Sequence, residues 1–320
     1  MFAVYASAMD FDHPLNGLEW GERPEPDVPP GWTTVDVRAA SLNHHDLWSL
    51  RGVGLDPEYL PMILGCDAAG LDADGNEVVA YPVVGATGHG VGPRETPTIL
   101  TERYQGTLAE RVAVPQWNLV PKPPELSFAE AACLPTAWLT AYRMLFTKAE
   151  VRPGDSVLVQ GAGGGVATAA IVLGAAAGLR MFATSRDEEK RRRARELGAE
   201  GVFEAGARLP HRVDAVLETV GAATWSHSLK SLATGGTVVI SGATSGPNPP
   251  SGELNRLFFR ELRVLGSTMG TKEELQGLLN FCVAKGVRPV IDSTYPMDRP
   301  REAFERLAGG EVFGKVVLER

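Results

Sequence analysis

A chain of 320 residues is long enough to bury roughly three quarters of its unfolded surface and to build about two domains. Its 31 Lys and Arg against 39 Asp and Glu leave a formal charge of −8, which argues against nucleic acid as a partner, because phosphate binding rests on clustered cations. Three cysteines, Cys66, Cys133 and Cys282, are too few and too odd in number for a disulfide scaffold or a Cys-rich zinc lobe, and they fit a reducing cytoplasm.

The longest nearly apolar run, residues 166–179, has 14 residues where a membrane span needs about 20, so no membrane partner is expected. The first residues lack a basic region and reach Asp10 and Asp12 early, which predicts no signal peptide. No fixed period repeats. From the start to about residue 120 the chain is rich in Pro and Gly. Short β-leaning runs at 33–37, 77–80 and 108–114 are separated by turn signals at 24–31 and 72–76, which predicts a compact antiparallel β domain. Residues 85–98 read as a Gly-rich loop. Near Pro121 the pattern changes. Ser127 and Glu130 form an S-x-x-E capping box that opens a long helical pattern to about Phe146. An alternation follows: strand 156–160, helix 166–178, strand 180–184, helix 187–197 closed by Gly198, strand 213–217, helix 225–232, strand 237–241 and a further strand at 263–265. Such alternation predicts βαβ units and a parallel sheet. The tail, with helices at 272–285 and 301–307 and a strand at 315–318, is expected to pack back on the first domain.

The sharpest signal is VLVQGAGGGVATAA, residues 157–170, set between a predicted strand and a predicted helix. That is the context of a dinucleotide fingerprint, where glycines let the backbone approach a pyrophosphate and the helix N-terminus offers N–H donors. Gly161, Gly163, Gly164, Gly165 and Val166 are the candidate contacts. The spacing departs from strict G-x-G-x-x-G, and it reads better as Gly161-x-x-Gly164-x-x-Ala167. A plain glycine-rich turn could share this composition, but the flanking strand and helix favour the ligand.

The end of the next strand selects the cofactor. An acidic residue there would bind a ribose 2′-hydroxyl. Here the segment reads Thr184-Ser185-Arg186, with Lys190 one turn into the helix. Ser185, Arg186 and Lys190 suit a 2′-phosphate, so NADP(H) is expected over NAD(H), with Asp187 as the opposing signal. Most of EEKRRRARE, including residues 191–193, reads as a solvated helix face. By position at the carboxyl ends of strands, Val220 with Gly221, and Gly242 with Ala243, are candidate ribose and nicotinamide contacts.

These segments, together with ASLNHHDLWSLRG (40–52), LPMILGCDAAG (60–70), GTLAERVAVP (106–115), LPTAWLTAYRML (134–145), FFRELRVLGSTMG (258–270) and FGKVVLER at the end, resemble the medium-chain dehydrogenase/reductase superfamily in its quinone oxidoreductase-like branch. The resemblance implies an α/β fold: a doubly wound parallel Rossmann sheet plus a GroES-like β-barrel catalytic domain, with the active site in the cleft between them. The GroES-like domain would span 1–122, completed by 268–320, around a Rossmann NADP(H)-binding domain at 123–267. It also implies that Met269 and Gly270 flank the nicotinamide and that the protein is a homodimer through the Rossmann edge strand.

Zinc relatives present a Cys, a Gly-His-Glu motif and a second Cys or Asp. The matching positions here are Asn43, Cys66-Asp67 and Thr136, which predicts no metal, since zinc takes thiolate, imidazole or carboxylate. An unusual set from His44, His45, Cys66, Asp67 and His89 stays open, although His44 and His45, read as a strand pair, would face opposite sides. Without a Lewis acid the chemistry left is hydride transfer from NADPH to a small-molecule electrophilic acceptor, a quinone or an activated enone or enal. Asn43, Tyr59 and Thr136 are the candidate catalytic residues. Asn43 would bond the acceptor oxygen or the ribose, Thr136 would lie near the nicotinamide, and Tyr59 would line the pocket with Trp48 and donate a proton. Asp46 would orient its neighbours. The alternatives are a zinc-type alcohol dehydrogenase with atypical ligands, a non-catalytic NADPH-binding sensor, and an enoyl reductase domain cut from a synthase. Cys133 and Cys282 read as core, and His13, His211 and His227 carry no recognisable role.

Overall fold

The computed structural model describes residues 1–85 and 97–320. The loop expected at 85–98 therefore lies mostly outside the described residues, and His89 lies wholly outside them.

The chain opens with β1 (Phe2–Ala6), β2 (Leu18–Glu22), β3 (Trp32–Ser41), α1 (His44–Leu50), β4 (Met62–Ile63), β5 (Asp67–Asp72), β6 (Glu77–Ala80), β7 (Val83–Val84), β8 (Thr98–Ile99), β9 (Arg111–Pro115) and β10 (Leu119–Pro121). Next come α2 (Phe128–Ala132), a π-helical turn at Leu134–Trp138, α3 (Leu139–Tyr142) and a second π-helical turn at Arg143–Lys148. The alternating part runs β11 (Ser156–Gln160), α4 (Gly165–Ala176), β12 (Arg180–Thr184), α5 (Glu188–Glu196), β13 (Gly201–Phe203), β14 (Val213–Glu218), α6 (Trp225–Ser231), β15 (Leu232–Ile240), α7 (Leu254–Phe259) and β16 (Arg263–Gly266). The tail is α8 (Lys272–Lys285), β17 (Ile291–Pro296), α9 (Pro300–Ala308) and β18 (Lys315–Glu319).

These elements form two compact units, Met1–Leu139 with Gly270–Arg320, and Thr140–Met269. The sequence reading set the divisions at 122/123 and 267/268. The difference is the helical segment after Pro121, which packs with the β-rich unit: Ser41 Oγ lies 3.0 Å from the Ala132 carbonyl oxygen. The Ser127–Glu130 capping box is present, with Glu130 N donating to Ser127 Oγ at 3.2 Å and Ser127 N to Glu130 Oε2 at 2.8 Å. The helix expected to run on to residue 146 is instead broken twice by wide π turns.

In the β-rich unit the main sheet runs β10-β6-β5-β3-β18-β17, with β9 also on β3, beside a β2-β1-β4 sheet and a β7-β8 pair. Among the described residues no ladder joins β10 to β17. β3 follows the period-2 rule: Val35 and Val37 are buried while Arg38 is exposed. Val35, Val37, Leu108, Val112, Val316, Leu318 and Phe304 share one core. The tail does return to this unit, since β18 pairs antiparallel with β3, placing Val317 opposite Ser41. On the other side of β3, Ser41 lies opposite Asp67 on β5.

In the second unit six parallel strands take the order β13-β12-β11-β14-β15-β16. This is the doubly wound order, with its reversal between β11 and β14. All five residues of β11 are buried, as a parallel strand covered on both faces requires. α4 lies close to β12: a Cβ at Gly174 would sit 2.3 Å from Met181 Sδ, so a larger residue there would make that side chain shift. β15 starts at Leu232, five residues earlier than its apolar run suggested. Among the described residues no helix is long and apolar enough to cross a membrane.

Candidate functional site

The glycine-rich segment folds as its spacing predicts. β11 ends at Gln160, and Gly161 turns the chain at φ +80°, a conformation that favours glycine. Gly163 is buried, and Gly164 is the extended N-cap of α4. Gly165 and Val166 form the first helical positions. No side chain caps this helix, so its first-turn N–H groups are left for a ligand. A Cβ at Gly164 would meet nothing within 4 Å, whereas one at Gly161 would lie 3.3 Å from Val220 Cγ2. Val220 thus sits directly against the phosphate loop.

The turns after β14 and β15 are laced together. Ser245 N donates to Val220 O at 2.7 Å and Ala222 N to Gly246 O at 3.0 Å. A Cβ at Gly221, whose φ is +94°, would lie 2.8 Å from Ala243 Cα, and one at Gly242 would lie 3.2 Å from Thr219 O. The structure therefore brings Gly161, Val220, Gly242 and Ala243 into one cluster at the carboxyl edge of the sheet.

At the end of β12, Arg186 is exposed and has no partner among the described residues. Ser185 Oγ accepts from Asp187 N at 3.2 Å, and its own proton stays available. Asp187, the signal that opposed NADP(H), serves as the N-cap of α5 by accepting from Lys190 N at 2.8 Å. Arg191 was set aside as solvated face, yet its Nη1 donates to Ser185 O at 2.7 Å and braces this turn. Arg192 does spend its charge along the helix, on Glu189 and Glu196. The uncapped helix start and the glycine cradle together fit a nicotinamide dinucleotide, with the unpaired Arg186 beside them. Met269 is buried at the end of this unit. Gly270 belongs to the other, where its carbonyl accepts from the Tyr81 hydroxyl at 2.7 Å and a Cβ would collide with Leu139 at 2.5 Å.

In the β-rich unit Asn43 is the N-cap of α1, but its side chain makes no capping bond. Its Oδ1 accepts from Lys315 Nζ at 2.6 Å and its Nδ2 donates to Asp67 Oδ2 at 2.8 Å. Lys315 Nζ also donates to Leu42 O at 2.7 Å and pairs with Asp67 Oδ2 at 3.1 Å, and Ser41 Oγ donates to the same carboxylate oxygen at 2.8 Å. Lys315 and Asp67 are buried, and Asp67 Oδ1 has no partner among the described residues. The expected bond from Asn43 to an acceptor would compete with these contacts, since its remaining amide hydrogen makes only a 3.5 Å bond to Ser41 O. Asp46 orients its neighbours as expected, accepting from Asn43 N and Gly65 N at 2.8 Å each. Burial pushes its carboxyl pKa up, against the pull of these bonds and of His45.

His44 and His45 are not a strand pair. They open α1, because Asp46 draws the Asn43 N–H into a helix start. His44 presents an exposed edge, yet the packing around it, with the Lys315 ammonium and Arg51, holds its pKa below the usual value. His45 Nε2 meets Thr101 Oγ1 at 2.8 Å. Thr136 stands on the π-helical turn between α2 and α3, half-buried. Tyr59 lines a surface cavity of about 300 Å³ with Asp56, Glu58, Glu102 and Arg103. A hydrogen bond to Glu58 raises its phenol pKa, which makes it a weaker proton donor. Trp48 carries Arg51 stacked at 5.0 Å from its ring.

Among the described residues no three of His, Cys, Asp and Glu gather as metal ligands. Cys66 turns its sulfur to Leu100 O at 3.4 Å, and burial, with Asp46 and Asp67 nearby, pushes its thiol pKa well up. All three cysteines are buried and unpaired.

Sequence reasoning missed Lys315 and a buried network in the second unit: Gln160, Thr184, Glu218, His227 and Ser228. Polar residues at the carboxyl ends of adjacent parallel strands were the signal that could have found it.

Comparison with known proteins agrees with this architecture. The family model described as alcohol dehydrogenase GroES-like domain matches residues 29–124, and that described as zinc-binding dehydrogenase matches residues 165–284. A zinc-type alcohol dehydrogenase-like protein of Schizosaccharomyces pombe is 30% identical over 95% of this chain and 96% of its own length. The quinone oxidoreductase of Mus musculus is 31% identical over 89% of this chain and 88% of its own length. The crystal structure of an NAD-dependent alcohol dehydrogenase superposes with a TM-score of 0.90 at 36% identity, covering 100% of both chains. On the strength of these full-length relatives and of the paired β-rich and doubly wound units, the chain belongs to the medium-chain dehydrogenase/reductase superfamily of oxidoreductases.

Proposed function

We propose that this protein is an NADPH-dependent oxidoreductase that reduces a quinone or an activated enone or enal without zinc. The observation that carries the reading is Arg186: an exposed guanidinium with no partner among the described residues, at the end of β12, in the strand order that sets a ribose there. An arginine in that place suits a 2′-phosphate better than a bare ribose hydroxyl. When bound, NADPH supplies the hydride, two electrons delivered to an acceptor carbon that is already electrophilic. The chain's own work is to bind and to orient. The first turn of α4 would hold the pyrophosphate, with Gly161, Gly163, Gly164, Gly165 and Val166 around it. Ser185, Arg186 and Lys190 would hold the 2′-phosphate. Val220, Gly242, Ala243, Met269 and Gly270 are the residues proposed for the ribose and nicotinamide. Asn43, its amide oriented by Lys315 and Asp67, and Thr136 are proposed to orient the reacting groups, and Tyr59 to line the acceptor pocket.

Titrating the purified protein with NADPH and NADH, as wild type and as Arg186→Ala, tests the cofactor. Wild-type preference for NADPH that collapses in the variant supports it, and equal effects on both cofactors overturn it. Metal analysis tests the zinc-free reading, which one tightly bound zinc per chain would sink. Turnover with a small quinone and enal panel separates the enzyme from a binding-only sensor.

The solution form proposed is a homodimer in the cytoplasm. Among the described residues β16 pairs with β15 alone at the sheet edge, and Leu254, Phe258, Phe259 and Val264 beside it are exposed. A second copy would continue the sheet and cover them. Phe259→Asp should shift the mass in solution from dimer to monomer.

A further inference from the structure

Glu218, the last residue of β14, is fully buried, and no Lys, Arg or His pairs with it among the described residues. Donors alone satisfy its charge. Oε1 accepts from Val220 N at 2.8 Å and Gly221 N at 3.0 Å, while Oε2 accepts from Thr224 Oγ1 at 2.8 Å and Ser228 Oγ at 2.6 Å. A buried carboxylate without a cation is expensive to keep, and an apolar side chain of the same size would pack at lower cost. What it does here is specific: it clamps the two N–H groups of the turn that carries Val220 and Gly221. That turn touches the phosphate loop through Val220 and the β15 loop through Gly221.

The clamp is tied to the other end of the site. Ser228 Oγ accepts from Gln160 Nε2 at 3.0 Å, Gln160 Nε2 also donates to His227 Nδ1 at 2.8 Å, and Gln160 Oε1 accepts from Thr184 Oγ1 at 2.7 Å. His227 Nε2 is held by Ala207 O at 2.8 Å, so in this network the ring carries its proton on Nε2. The chain of bonds crosses the carboxyl ends of β12, β11 and β14, beneath the phosphate loop, and terminates on Glu218.

We propose that Glu218 is a positioning residue of the dinucleotide site: it sets the Val220–Gly221 turn against Gly161 and thereby fixes the nicotinamide-ribose half of the cofactor independently of the adenosine half. The proposal rests on the dinucleotide reading above. In a doubly wound sheet with its reversal between β11 and β14, the adenosine half lies over the β12 side and the nicotinamide half over the β14–β15 side. The turn that Glu218 holds through its two N–H groups lies on the second side.

The test uses two ligands that share the adenosine half, NADPH and 2′,5′-ADP. Glu218→Gln keeps the volume but offers one acceptor oxygen where two served. Its amide hydrogens then face either the turn N–H groups or the hydroxyls of Thr224 and Ser228, and the turn loosens. Dissociation constants from calorimetry should rise about tenfold for NADPH, the scale of one lost charge-assisted hydrogen bond, and stay within about twofold for 2′,5′-ADP. Thr224→Val, which removes one donor and leaves the carboxylate, should move the two ligands in the same unequal way, and Thr224→Ser should restore wild-type binding. This pair carries the test if the Glu218 variant does not fold. Equal losses on both ligands, or none on either, overturn the role of Glu218. Failure of the wild type to bind either ligand overturns the NADPH reading, and the role proposed for Glu218 with it.

Discussion

The phosphate loop of the doubly wound unit and the Asn43–Asp67–Lys315 network of the β-rich unit are both polar and both central, yet they are built in opposite ways. The loop draws its donors from consecutive backbone N–H groups of one short segment and leaves them open, with an unpaired guanidinium close by in sequence. The network draws its groups from residues 41, 43, 67 and 315, which strand pairing alone brings together, and consumes nearly all of them internally. Open donors signal a ligand, whereas saturated donors signal a scaffold that fixes the orientation of one amide. Substitution should therefore damage binding in the first region and folding in the second.

The largest expected effect lies in the network. Lys315→Met leaves a buried carboxylate without its cation and should lower stability by about 3–5 kcal/mol in urea unfolding. The double variant Lys315→Met with Asp67→Asn, which removes the charge altogether, should recover about half of that loss. A fully additive double loss would show the pair to be uncoupled.

Arg186→Ala is the matching change in the other region. It should weaken NADPH binding by about 10–100-fold, the range of a hydrogen bond to a charged group, while the melting temperature stays within about 1 °C. A large drop in melting temperature would place Arg186 in the scaffold after all.

Smaller effects come from ion pairs outside both regions. Asp292 accepts two bonds from Arg306 at 2.9 Å each and one from Phe313 N at 2.9 Å. Burial alone would raise its carboxyl pKa, but these donors outweigh burial and hold it below the usual value. The stabilisation is therefore present above the unfolded carboxyl pKa of about 4 and is lost as the pH falls through the lower folded value. Asp292→Asn should cost about 1–2 kcal/mol at pH 7 and progressively less on the way to pH 3.

The smallest expected signal is an absence of reaction. Burial pushes the Cys133 and Cys282 thiols up to about 12, and Cys66 well above its usual value. Native protein should take up no iodoacetamide at pH 8, and unfolded protein three equivalents. Uptake by the native chain would show that a thiol opens to solvent.

Much of the second unit was legible because its signals are local. Residues 156–160 and 180–184 are strands as read, Gly198 ends α5 at φ +108°, and the loop glycines fall where the turn and the helix start need them. The site of the β-rich unit was not legible in the same way. His44 and His45 read as strand and form a helix start, because a single carboxylate, Asp46, decides the local backbone. Lys315 read as part of a terminal strand motif and is instead the cation under Asn43. His227 read as featureless and is fixed between Gln160 and Ala207.

By itself the sequence determined the parallel alternation and the glycine-rich turn into a helix start, because helix and strand periodicity, glycine backbone freedom and helix-end donors all act within a few residues. Only the tertiary structure decided which polar groups are spent and which remain open. Ser41 meets Asp67, and Lys315 reaches Asp67 and Asn43, through the register of β5, β3 and β18, and Glu218 gains its four donors from a turn and a helix folded back over its own strand. Hydrogen-bond saturation is a property of groups distant in the chain, and burial sets its energetic weight, so it becomes visible only once the strands are paired.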